Sequence, residues 1–200
     1  MSQDTNVFHM LSRTSPGLFL FLLLVNCILL PSYKSFYLLI MFIIVTISNW
    51  IAKSIIFQPL YYLLGKKKLP ILGLGERPNG ANDCDFTMNG LFLKTFGMPS
   101  GHSQIAWTIA TYIICKISII MYNKKYYINE NLDCIWFILP LIILAIIVLC
   151  IALYISYSRV YVECCHTIQQ VIVGGLIGIV SGFLIYYFED YIISIMKQIY

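Results

Sequence analysis

Apolar positions in this chain gather into five long runs, separated by polar connections that are short in all cases but one. The runs cover about Gly17 to Leu30, Phe36 to Phe57, Ser103 to Tyr122, Ile135 to Tyr157 and Gln169 to Phe188. Runs of this kind are candidate membrane-spanning helices. The first is short, carries Asn26 and follows Arg13, features it shares with signal peptides. No small-x-small cleavage pattern clearly follows it, so the preferred reading is a first span or signal anchor. The long connection, about residues 58–99, holds Lys66 to Lys68, several glycines, Arg77-Pro78 and Asp83, and reads as a structured extramembrane loop. Repeats and a second domain are absent from the pattern. The expectation is a single all-α, polytopic membrane helix bundle over residues 1–200, with about five spans.

Composition agrees. Hydrophobic residues make up 60% of the chain and charged ones 11%, with a mean hydropathy of +0.82. A water-soluble domain needs a larger charged share to cover its surface. The net charge of +4 is modest and dispersed, which argues against a nucleic-acid partner. Lys66 to Lys68 form the only basic run and suit a solvated or head-group-facing loop. Of seven cysteines, Cys27, Cys115 and Cys150 fall inside apolar runs, Cys164 and Cys165 are adjacent, and Cys84 and Cys134 lie in connections assigned to opposite faces. No Cys-x-x-Cys pair occurs, so neither a zinc site nor a disulfide framework is expected. Gly174, Gly178 and Gly182 share one face of the fifth span and permit close backbone approach. Packing within the bundle is the favoured use of that face, and homodimerisation the lesser alternative.

The polar residues at the ends of the runs change the picture further. Spans alternate in direction. The end of the second, the start of the third, the end of the fourth and the start of the fifth therefore share one membrane face. Those ends carry Lys53, Ser100-Gly101-His102, Ser158-Arg159 and His166, and the long connection adds Arg77. Lysines and arginines without an opposing carboxylate cluster suit a polyanion such as phosphate. A Ser-Gly pair at a helix start adds amide donors and the positive helix end. Two histidines permit attack on phosphorus by one and proton donation to the leaving oxygen by the other. No Asp-rich motif for magnesium is present, so a metal-free and cofactor-free route is expected. Taken singly, Lys53 would also suit a snorkelling helix end.

These residues carry a resemblance. Gly97-Met98-Pro99-Ser100-Gly101-His102-Ser103-Gln104 resembles the second signature (Pro-Ser-x-His) of the type-2 phosphatidic acid phosphatase superfamily. Ser158-Arg159 followed by His166 resembles its third, and Arg77-Pro78 the end of its first. The likeness covers about Asn49 to Gly178. Within the superfamily, Asn49-Trp50 before Lys53, Ser158-Arg159-Val160-Tyr161, His166-Thr167 and Gln170-Val171 are most similar to dolichyl-diphosphatase-like enzymes. The resemblance implies hydrolysis of a polyprenyl diphosphate to the monophosphate, in the endoplasmic reticulum or an equivalent internal membrane, with a lumenal active site. It also implies His166 as the nucleophile that forms a phosphohistidine, and His102 as the acid for the leaving group and then the base for water. Lys53, Arg77, Arg159, Ser100 and the Gly101 amide would bind phosphate oxygens.

The spacing departs from the family pattern in three places. With the usual six residues between them, the position after Lys53 where an arginine is expected holds Leu60, so Tyr61 to Glu76 reads as an insertion, with Lys68 as a competing motif lysine. Six residues, Val160 to Cys165, separate Arg159 from His166 where five are usual. A loop would absorb the extra one, whereas on a helix it would turn His166 by about 100°. Gln170 stands four after His166, where many relatives have Asp. Two other readings stay open: a relative that binds lipid phosphates without cleaving them, and a phosphatase of phosphatidic acid-type lipids. A transporter has little support, because ionisable residues gather at one interface and do not line the midplane. Loop lysines and arginines are too evenly divided between the faces to set the orientation.

Overall fold

Every apolar run expected to span the bilayer forms a helix in the computed structural model, which describes residues 7–66, 75–78, 81, 84, 96–127 and 133–199. The helices are α1 (Val7–Leu29), α2 (Tyr33–Ile51), α3 (Gln58–Leu63), α4 (Gly101–Tyr127), α5 (Asp133–Tyr157) and α6 (Ile168–Ile199). A π-helical turn, Ala52–Phe57, joins α2 to α3 without a break, and a second, Ser158–Val162, extends α5. Five continuous stretches result that are long and apolar enough to cross a membrane: Met10–Leu29, Tyr33–Leu63, Gly101–Asn123, Trp136–Val162 and Ile168–Gln198. The architecture is an all-α polytopic membrane bundle.

The second stretch runs five residues beyond the start expected for the long loop, to Leu63. Its π turn ends two residues before Pro59, whose ring has no N–H to give to an α-helical ladder. In α1, Pro16 likewise leaves the Ser12 carbonyl without its usual N–H, and the Ser15 hydroxyl donates to that carbonyl at 2.8 Å. Asn26, the polar residue of the first apolar run, donates to Ser35 Oγ, and Ser35 Oγ donates to the Leu30 carbonyl. Together with the Ser32 cap on the Ser35 amide, these bonds fasten the α1–α2 hairpin.

The centre of the bundle is the parallel pair α4 and α6. A Cβ on Gly174, Gly178 or Gly182 would fall inside contact distance of the carbonyl oxygens of Ser100, Gln104 and Thr108 respectively. The glycine face is therefore occupied by α4 of the same chain. The other side of α6 carries Ile172, Leu176, Val180, Phe183 and Tyr187, all exposed at near-helical spacing, and this stripe faces lipid in a bilayer. Polar ties cross between helices where apolar packing alone gives no specificity. Asn49 donates to Gln104 Oε1 at 2.7 Å, joining α2 to α4. Trp107 Nε1 donates to Ser156 Oγ at 3.1 Å, joining α4 to α5, and Ser103 Oγ donates to the Val171 carbonyl at 2.9 Å, joining α4 to α6.

Replacing Gly178 with Val should lower the stability of the detergent-solubilised protein by about 1–3 kcal/mol, since α4 and α6 must move apart to admit the side chain. Thermal unfolding followed by circular dichroism checks this against Leu176→Val on the lipid side, where the melting temperature should stay at the wild-type value.

Candidate active site

Local chain chemistry delivers each polar side chain to one end of the α4–α6 pair. Lys53 sits in the first π turn, one turn beyond Asn49, and its side chain is buried, in contrast to a snorkelling helix end. Ser100 and Gly101 open α4, and the Asn49 side chain lies against Gly101, where a Cβ would meet Asn49 Oδ1 at 3.1 Å. Arg77 arrives from the long connection, which returns to the bundle through an isolated antiparallel bridge between Glu76 and Phe96. Phe96 and Met98 anchor that return by packing with Tyr61, Phe57 and Val173. Lys68, the competing lysine, lies outside the described residues, as do Asp83 and Lys67.

Arg159 and His166 meet despite the extra residue between them. The second π turn takes up part of the added length, with the Glu163 amide bonded to the Ser158 carbonyl at 2.8 Å. Cys164 then adopts a φ of +51°, a region few side chains enter, and the chain turns back. The amides of Cys165 and His166 both donate to the Arg159 carbonyl, at 3.0 and 3.1 Å. His166 therefore leaves the helix and belongs to the link before α6, so the helical rotation of about 100° does not arise.

All six side chains singled out from the sequence are buried. Lys53, Arg77 and His102 retain 7% exposure, His166 3%, and Ser100 and Arg159 none. Gly101, half-buried, places its amide in the first turn of α4. Ser100 Oγ has no hydrogen-bond partner among the described residues. Burial holds the His166 imidazole well below the usual histidine range, and the positive charges of Arg159, Arg77, Lys53 and His102 add to the effect. His166 is thus neutral at pH 7. Its Nδ1 lies 3.0 Å from the Gly97 carbonyl and 3.3 Å from Gln170 Oε1. Both oxygens are acceptors, so Nδ1 carries the proton and Nε2 keeps its lone pair.

The structure gives contacts to Gln170 and Gly97, both within the signatures, and to Arg13, which the signatures pass over. Gln170 ties the site together: its Oε1 accepts from the Thr167 amide, and its Nε2 donates to the Gly75 and Glu76 carbonyls. Its own carbonyl accepts from the Ser100 amide at 3.1 Å. Gly97 is glycine because its missing side chain leaves the space that the Gln170 amide fills. The Arg13 carbonyl of α1 accepts from His102 Nε2 at 2.9 Å, so the first span takes part in holding this histidine.

Two expectations need correction. A carboxylate does enter the site: Glu163 pairs with Arg159 through Oε2 and accepts from Ser158 through Oε1. The four-residue interval from Arg159 was its only sequence signal. A disulfide also forms, between Cys84 and Cys165, with the two Cα atoms 5.7 Å apart. It was missed because 81 positions separate the two cysteines, and no local spacing announces such a pair.

A helical membrane bundle thus gathers buried lysine, arginine, serine and histidine side chains at one end of its spans. The chain belongs to the PAP2 superfamily, whose family model matches residues 34–194, well over half of its length. Among curated proteins it is similar to dolichyldiphosphatase 1 of Homo sapiens, with 35% identity over 85 residues, 42% of this chain and 32% of that protein. The dolichyldiphosphatase 1 proteins of Callithrix jacchus and Plecturocebus moloch align with the same identity and coverage. The matched stretch spans about a third of the length of these relatives. No solved structure gives a significant match.

Gly97→Ala should push the Gln170 amide out of its place and break the bonds it makes to His166, Thr167, Gly75 and Glu76. Orthovanadate, a phosphoryl mimic, should then bind at least about tenfold more weakly, as the His166 ring loses its fixed orientation. Isothermal titration of wild type and variant in detergent measures the difference.

Proposed function

We propose that this protein is a membrane lipid-phosphate phosphatase, and that its substrate is a polyprenyl diphosphate of the dolichyl type, cleaved to the monophosphate. The observation that carries the reading is the environment of His166: a buried, neutral imidazole with its proton on Nδ1 and four cationic groups close enough to depress its basicity. Such a ring is a nucleophile placed where an anion must sit.

In this reading Nε2 of His166 attacks the terminal phosphorus, and the bond from phosphorus to the bridging oxygen breaks. His102, held by the Arg13 carbonyl, gives its proton to the departing monophosphate. The same histidine then takes a proton from water as that water attacks the phosphohistidine, which releases orthophosphate and restores both rings. Lys53, Arg77 and Arg159, with the Ser100 hydroxyl and the Gly101 amide, hold the equatorial oxygens, where charge spreads in the transition state. Glu163 keeps the Arg159 guanidinium from turning away.

A lipid substrate suits the surroundings. An apolar groove of about 270 Å³ opens between α1, α2, α4 and α6, lined by Phe19, Leu22, Met41, Phe42 and Thr108 among others. Thr108 lies six residues below His102 on α4, about 9 Å along the helix, so the groove sits on the bilayer side of the site. The disulfide on the site's own face supports a non-cytosolic orientation, because cytosolic reductants keep protein thiols reduced. The likeness to dolichyldiphosphatase 1 supports the polyprenyl choice.

Purified protein should release orthophosphate from dolichyl or undecaprenyl diphosphate in the presence of EDTA. It should do so faster than from farnesyl diphosphate or phosphatidic acid. His166→Ala and His102→Ala should each reduce kcat by at least about 10³-fold. Full activity in either variant would remove the mechanism, and lipid binding without release would favour a non-catalytic relative. Because the depressed basicity keeps His166 neutral, the acid limb of kcat/KM should lie below the ordinary histidine range. Replacing Arg77 with Gln removes one of the charges responsible and should move that limb to higher pH, which a pH–rate profile of the residual activity reads directly.

A further inference from the structure

Cys84 is fixed at both its side chain and its main chain. Its sulfur is joined to Cys165, the residue before His166, and its carbonyl accepts from Arg159 Nη2 at 2.6 Å. The Arg159 carbonyl in turn accepts from the amides of Cys165 and His166. These contacts close a small ring that runs from Cys84 through the disulfide to Cys165, through a main-chain bond to Arg159, and through the guanidinium back to Cys84. Arg159 and Cys165 are essentially inaccessible, and Cys84 keeps 3% exposure. Only Cys84 in this ring comes from the long connection. All the others lie on the link between α5 and α6.

We propose that the Cys84–Cys165 disulfide is the positioning element that sets Arg159 and His166 in their working register, and that Cys84 and Cys165 are positioning residues for the phosphate site. The physical case rests on the link itself. The π turn and the Cys164 turn leave the stretch from Ser158 to Thr167 outside regular α-helix, where few ladder bonds restrain it. A covalent tie at Cys165 restrains that stretch one residue from the His166 imidazole. The same tie delivers a carbonyl that takes one side of the Arg159 fork, while Glu163 takes another. A guanidinium held at two of its nitrogens has one orientation toward an anion, and misplacement by about 1 Å costs on the order of 10²-fold in rate. Reduction by a phosphine breaks the S–S bond: the phosphine gives two electrons and takes the oxygen of a water molecule to become its oxide, and that water's two protons go one to each sulfur. Cys84 then loses its anchor, and the Arg159 fork its carbonyl partner.

This inference rests on the reading of the site as one that binds a phosphoryl group, and the test separates the two. Peptide mapping without reduction should first recover the Cys84 and Cys165 peptides as one species; their recovery only as separate thiols would overturn the proposal. Orthovanadate affinity is then measured by titration calorimetry, and phosphate release by steady-state kinetics. Both use protein that elutes as a single folded species, before and after tris(2-carboxyethyl)phosphine and after reoxidation. Reduction should weaken vanadate binding at least about tenfold, raise KM and lower kcat/KM by about 10- to 100-fold, and reoxidation should restore both. Cys84→Ser should match the reduced protein and no longer respond to the phosphine, whereas Cys164→Ser should behave as wild type. Unchanged vanadate affinity in folded, reduced protein would overturn the positioning role. So would a loss on phosphine treatment that is equally large in Cys84→Ser. Vanadate binding that responds to reduction in a protein with no phosphatase activity would sustain the tether and remove the phosphatase reading.

Discussion

The site depends first on how closely two backbones can lie. With glycine at 174, 178 and 182, α6 approaches α4 until only hydrogen atoms separate it from the carbonyls of Ser100, Gln104 and Thr108. That approach lets the Gln170 carbonyl take the Ser100 amide, and so sets the first turn of α4 against the first turn of α6. His102 and His166 belong to these two turns or directly precede them. In lipid the hydrophobic effect gives helices little reason to associate, so shape complementarity and a few hydrogen bonds decide the geometry. The glycine face and the polar contacts of Asn49, Gln104, Ser103 and Ser156 together supply that geometry.

Around this contact the site is built less from charged groups than from neutral ones that aim them. Gln170, through both ends of its amide and through its carbonyl, reaches the return of the long connection, the start of α4 and the link that bears His166. A neutral amide at this position takes the proton of Nδ1 without adding negative charge. Depression of the imidazole's basicity therefore comes from burial and the neighbouring cations unopposed by a carboxylate at that atom. The Arg13 and Gly97 carbonyls act alike, each holding one histidine ring through a main-chain oxygen that no substitution of its own side chain removes.

Much of this was legible in the chain. Spans declare themselves by length and apolarity, and their alternation alone puts Lys53, Ser100, His102, Arg159 and His166 on one face. What remained hidden is non-local or main-chain in character. The Cys84–Cys165 bridge joins a connecting loop to a helix link, and no periodicity records such a pairing. The role of Arg13 lies in its carbonyl, which every residue possesses, so its identity carries no signal. Burial of Lys53 was obscured because a lysine at a span end looks the same whether it turns to the interface or to the interior. Glu163 was visible as an i+4 partner of Arg159 but lost among the expected cations.

The two π-helical turns carry a consequence for how such proteins are compared. In each, the turn is wider than an α-helical one. One holds Lys53 and the other Arg159, so a residue count along either segment departs from the α-helical count. Distance along the chain is then a poor measure of kinship at these points. A search pattern written as fixed intervals between basic residues and histidine would pass over a chain like this one, although the groups it seeks converge on one site. One residue of slack would admit the interval from Arg159 to His166, whereas the interval from Lys53 to Arg77 also carries the Tyr61 to Glu76 insertion.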